Sequence, residues 1–157
     1  MSAANEMEGA RSADRIVVGI DGSEGSLRAL SWAGREARLR GASLEVVAVW
    51  TFPIPVLLFP AAPEFPEVEK LANETHDLID AALDKVAEDV AGVSIERRAI
   101  EGSAPAVLLD RAKEADLLVL GSRGLGGFGG LLLGSVSQQC AQHATSPVVV
   151  VPPSSAA

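Results

Sequence analysis

Between Gly121 and Ser137 the chain reads GSRGLGGFGGLLLGSVS, a run whose residue types suit the binding of phosphate. It follows the apolar stretch DLLVL at 116–120 and leads into a segment with helical spacing that begins near Ser135. The first turn of a helix leaves backbone N–H groups without partners, and the macrodipole adds roughly half a positive charge there. Phosphate binds such a terminus readily. Gly134 puts no side chain in the way, and Ser135 and Ser137 can add hydroxyl donors. Each hydrogen bond to a charged oxygen contributes about 1.5–3 kcal/mol, so a few suffice for micromolar affinity. No Asp or Glu follows Asp116, and Arg123 is the only formal charge beyond it. That region is left open to an anion.

Three phosphate-binding patterns compete for these glycines. A Walker-type loop ends in Gly-Lys-Ser/Thr, and no Gly-Lys pair occurs in the chain. The dinucleotide pattern G-x-G-x-x-G is formally met by Gly124, Gly126 and Gly129. It needs an acidic residue about 20 positions further on, where this chain has none. The third pattern, G-x2-G-x9-G-S/T, is met by Gly121, Gly124, Gly134 and Ser135. With the opening strand that ends VVGIDGS and the closing TSPVVVVP, it makes residues 15–152 resemble the ATP-binding branch of the universal stress protein family.

The resemblance implies roles for particular residues. Asp21 would reach the adenine edge, Val49 would offer backbone groups to the base, and Gly19 would lie where the chain passes the nucleoside. Gly121 would sit near the ribose. Gly124, Gly134, Ser135 and Val136 would enclose the phosphates, with Ser137 beside them. Taken alone, Asp21 reads as a turn or cap residue and Val49 as core packing. Arg123 reads equally as a solvated surface charge and as a phosphate partner. The resemblance also implies ATP as ligand, with magnesium an open question, and a homodimer paired through the last strand at Val148, Val149 and Val150.

The elements that must position these residues follow from the hydrophobic pattern. RIVVGI (15–20), LEVVAVW (44–50), DLLVL (116–120) and PVVVV (147–151) are short apolar runs, as expected of strands buried on both faces. SIERRAI (94–100) alternates like a half-exposed strand. Leu27, Leu30, Ala33, Gly34 and Ala37 recur at helical spacing between a Ser23 N-cap and a Gly41 C-cap. Leu71, Leu78, Ile79, Ala82, Val86 and Val90 predict one face of a long helix. Further helices are expected over 104–114, opened by Ser103 and Pro105, and over 135–144. Strands alternating with helices predict an α/β domain, an open parallel sheet with helices on both faces. The family's strand order, 3-2-1-4-5, would set the ends of strands one and four beside the crevice where such sheets bind ligands.

The expected organisation is a mobile tail over 1–14, one domain over 15–152, and a short tail over 153–157; residues 51–66 are proline-rich and irregular. The 157 residues are 48% apolar, but no apolar run approaches the roughly 18 residues of a membrane span. The opening MSAANEMEGARSAD has no basic start, apolar centre or cleavage-like end. With a single cysteine, Cys140, and hence no internal disulfide, the expectation is a cytoplasmic protein. A net charge of −8 argues against a nucleic-acid partner.

His143 lies eight residues beyond Ser135, about 12 Å along a helix, too far to serve as its base. Cys140 reads as packing and His76 as a helix-surface residue; Trp32 and Trp50 read as core or interface. The leading functional expectation is an ATP-binding regulator or sensor. An adenylate-processing enzyme with slow hydrolysis and a nucleotide-free dimeric interaction protein are the alternatives.

Overall fold

The computed structural model describes residues 14–52, 68–125 and 132–154. Most of the expected N-terminal tail and proline-rich segment, glycines 126, 127, 129 and 130, and the last three residues lie outside the described residues. The element order is β1 (Arg15–Ile20), α1 (Glu24–Arg40), β2 (Ser43–Trp50), α2 (Val68–Lys85), α3 (Ala87–Val90), β3 (Ile95–Glu101), α4 (Ala104–Ala112), β4 (Leu117–Gly121), α5 (Ser135–His143) and β5 (Val148–Val151). The strands form one parallel sheet in the order β3-β2-β1-β4-β5. This is the order that the resemblance implied.

Alternation along the strands divides the apolar residues between two cores. Ile16, Val18 and Ile20 of β1, with Val46 of β2 and Val119 of β4, pack under α1, α2 and α3. Val17, Val47, Leu118 and Leu120 face the other way, toward α4 and α5. Burial on both sides is why the central strands read as continuous apolar runs rather than as alternating ones.

Helix α1 begins and ends where its caps dictate. The Ser23 hydroxyl accepts the Ser26 N–H at 3.2 Å, and Gly41 closes the helix in the left-handed conformation at φ 63°. The second long helix does not run to Val90 as its apolar face suggests. It breaks at Val86, which leaves helical geometry at φ −115°, ψ 24°. The short α3 then turns against α1 at Gly34, where a Cβ would stand 2.7 Å from Val90 Cγ1 and 2.8 Å from the Asp89 carbonyl oxygen. Asp89 also accepts the Ser31 hydroxyl at 2.6 Å.

A buried carboxylate stands at the opposite end of the sheet from the loop ends. Glu45, 1% exposed, accepts Arg111 Nε at 2.6 Å and Arg111 Nη2 at 2.9 Å, and also pairs with Arg15. The two sheet edges differ in character. On β3, Glu96, Arg97 and Arg98 are exposed and charged, with Arg97 bonded to Asp80 at 2.8 Å. On β5, Val148, Val149 and Val150 are half-buried and uncharged. No described helix is long and apolar enough to cross a membrane.

Candidate functional site

The connection after β1 enters α1 on one face of the sheet, and the connection after β4 leads to α5 on the other. Between the carboxyl ends of these adjacent strands lies a cleft of about 540 Å³. Its position is the switch point at which open α/β sheets take ligands.

From β1 come Gly19 and, just past the strand, Asp21. A Cβ on Gly19 would meet the Leu120 and Leu108 side chains at 2.8–2.9 Å, so glycine lets those two leucines close over the strand. Asp21 Oδ1 accepts the Ser23 N–H at 2.9 Å, and Oδ2 accepts the Leu125 N–H at 3.1 Å. Burial works to raise the Asp21 carboxyl, but hydrogen bonds from Ser23, the Leu125 amide and Ser26 together bring it below its ordinary value. The group is a fixed anion and a pure acceptor.

Gly121, Arg123 and Gly124 form the adjoining wall. Here the backbone after β4 touches the first turn of α1 with no side chain between them. A Cβ on Gly121 would lie 2.8 Å from the Gly25 carbonyl group, and one on Gly25 would lie 2.7 Å from the Arg123 carbonyl oxygen. The Ser122 carbonyl accepts the Gly134 N–H at 2.6 Å and the Ser137 hydroxyl at 2.8 Å. These bonds draw the two described ends of the glycine-rich loop together.

Gly134, Ser135, Val136 and Ser137 complete the cleft at the start of α5. Gly134 is the N-cap, and no side-chain hydrogen bond caps the helix among the described residues. Intrahelical bonding begins with the Gln138 N–H on the Gly134 carbonyl, so the three amides from Ser135 to Ser137 precede any helical partner. Ser135 is exposed. Ser137 departs from the role first read for it. Its side chain is buried and its hydroxyl is shared between the Ser122 and Gly134 carbonyls at 2.8 and 3.1 Å. The hydroxyl holds the loop, while the residue's backbone N–H stays among the three without a helical partner.

Opposite these polar groups stands an apolar wall. Val49, named from the sequence, shares it with Val47, Ala104, Leu108 and Leu120, which were not. Val47 is two residues before Val49 on the same face of β2, so strand periodicity implies it once Val49 is assigned. Nothing in residue type separates the others from ordinary core. Arg123 lines the cleft with its neighbours. Trp32 packs at the margin of the first core, and Trp50 meets Phe52 edge-on at 5.5 Å. Cys140 is buried, and burial pushes its thiol up, as suits a packing residue. His76 and His143 are exposed. The described residues contain no group of three or more His, Cys, Asp or Glu that could hold a metal.

The sequence profile of the universal stress protein family matches residues 12–152. A universal stress protein of Mycolicibacterium smegmatis is 43% identical over 141 residues, 88% of this chain and 45% of that one. One from Thermus aquaticus is 36% identical over 139 residues, 87% of this chain and 96% of that one. The chain thus spans about half the length of the mycobacterial relatives it matches, 45% and 47% for two of them. Among solved structures, a universal stress protein in complex with cAMP is 32% identical, with a TM-score of 0.63 over 89% of this chain and 98% of that one. An Archaeoglobus fulgidus universal stress protein in complex with dAMP is 25% identical, with a TM-score of 0.62 over 88% and 97%. By sequence profile, by relatives across most of its length and by fold, this chain belongs to the universal stress protein family.

Proposed function

We propose that the protein binds ATP in the cleft between β1 and β4 and acts in the cytoplasm as a nucleotide-dependent regulator. The observation that carries this reading is the start of α5, where three successive amides without helical partners face a cleft of about 540 Å³. An anion at such a terminus meets both the free N–H groups and the positive end of the helix dipole. In this reading Gly124, Gly134, Ser135 and Val136 hold the phosphates, and Gly121 borders the ribose. Asp21 and Val49 address the base, against the apolar wall of Val47 and Leu108. Arg123, the sole cationic side chain lining the cleft among the described residues, supplies charge to the phosphates. The relatives solved with cAMP and dAMP support an adenine nucleotide as the class of ligand.

Regulation fits the side chains better than catalysis does. Among the described residues Asp21 is the sole carboxylate lining the cleft, and both of its oxygens accept backbone N–H groups. No histidine lines it, so turnover of the nucleotide would be slow for want of a base. Magnesium accompanying ATP would draw its oxygens from phosphate and water. Binding would act by favouring one of two conformations. The uncharged β5 edge supports a homodimer paired through Val148, Val149 and Val150.

The natively purified protein should release an adenine nucleotide under denaturing mass spectrometry, and added ATP should raise its melting temperature. Failure of ATP, cAMP and dAMP alike to raise it would overturn the reading. A second reading, with a monophosphate as the resident ligand, is favoured by the two solved relatives. It prevails if cAMP or dAMP stabilises the protein at lower concentration than ATP.

A further inference from the structure

The aspartate after β1 also holds the far wall of the cleft. Its Oδ2 accepts the N–H of Leu125, 104 residues further along the chain, at 3.1 Å. Gly124 stands so close that a Cβ there would lie 2.4 Å from the same oxygen. The stretch from Gly121 to Leu125 is thereby fixed at three points. Gly121 and Arg123 press on the first turn of α1 through Gly25. Ser122 is bonded to Gly134 and Ser137 of the α5 start. Leu125 is bonded to Asp21. Only the third attachment uses an ionised side chain, and that side chain lines the cleft. A carboxylate has about four acceptor positions. The two backbone donors take two of them, the Ser23 and Ser26 hydroxyls also bear on the group, and a donor on the base would take the place of a serine hydroxyl.

We propose that Asp21 is a positioning residue that couples the two ends of the ligand site. Its carboxylate fastens Gly124 and Leu125 to the end of β1, and so sets the backbone that meets the phosphates, while it also accepts a donor on the base. The inference rests on the nucleotide reading above and extends it. A residue serving the base alone would matter only to ligands that carry a base. A residue that also sets the phosphate wall matters to a ligand without one.

The discriminating probe is inorganic tripolyphosphate, compared with ATP in calorimetric titrations of wild type and Asp21→Asn. Asparagine keeps the shape but sets an N–H₂ group against one of the two backbone donors. Both ligands should bind Asp21→Asn more weakly by about tenfold or more, the effect of losing a charge-assisted hydrogen bond. In the ligand-free protein, amide exchange at Leu125 should quicken by a similar factor, while Val17 and Val18 of the central strand keep their protection. Gly124→Ala, which displaces the carboxylate without removing its charge, should quicken the same amide. Should Asp21→Asn fail to fold, the Leu125 exchange in Gly124→Ala carries the comparison. If ATP weakens while tripolyphosphate does not, or Leu125 exchange is unchanged in a protein that binds ATP, the coupling is wrong and the nucleotide reading stands. If wild type binds neither ligand, the nucleotide reading itself fails.

Discussion

A Cβ on Gly134 would stand 3.4 Å from Arg123 Cα and 3.5 Å from the Ser122 carbonyl oxygen, and the residue's φ of −74° is open to any side chain. The fold does not require glycine there; under the proposed reading, a phosphate approaching the first turn of α5 does. Gly134→Leu should therefore lower ATP affinity by about tenfold or more, measured by calorimetry, with the melting temperature within a few degrees of wild type. Gly121 belongs to the same sequence pattern but is glycine for a different reason. Its Cβ would run into the Gly25 backbone, so Gly121→Ala should cost about 1–3 kcal/mol in urea unfolding, whether or not nucleotide is present. The spacing of glycines in the sequence names both positions; only the distances tell a position the packing needs from one it leaves free. Asp21 adds a pH dependence. Its carboxyl lies below the ordinary 3.8 in the folded state, so its stabilising contribution is complete above that pH and is lost as pH falls through the lower folded value. The difference in urea midpoint between wild type and Asp21→Asn should be level from about pH 7 to 5 and shrink on acidification below about 4.

Among the elements, β2 carries the least legible feature. LEVVAVW shows a carboxylate within an apolar run, but Glu45's partners, Arg15 and Arg111, lie 30 and 66 residues away. No local pattern announces such a pairing. Removing the acid would leave two arginines facing a buried gap, and Glu45→Ala should cost about 3 kcal/mol in urea unfolding. Because this network sits at the end of the sheet remote from the cleft, ATP affinity in the folded variant should be unchanged. The division of the second long helix at Val86 was hidden for a similar reason. Val86 and Val90 continue the apolar face of α2, and the contact that the short α3 makes lies at Gly34 on another helix. By contrast, the caps of α1 were readable because Ser23 and Gly41 act on their own neighbours in sequence.

At the scale of the molecule, the alternation of apolar runs with helical spacing yields a parallel sheet, while its order follows from the family resemblance. The sheet leaves one edge charged and one bare. A lysine placed on the bare edge, Val150→Lys, should discourage strand pairing between copies. Light scattering after size exclusion should show a dimer for the wild type and a monomer for the variant; a monomeric wild type would refute the pairing. One seam spans this whole architecture. Where Gly25 meets Gly121 and Arg123, main chain from the two ends of the domain rests on main chain. No side-chain rotamer at Gly25 or Gly121 can absorb a shift at that point. Under the proposed nucleotide reading, this contact is the fixed datum for any rearrangement on binding, so occupancy should be felt at Gly124 and the start of α5 rather than in the sheet beneath.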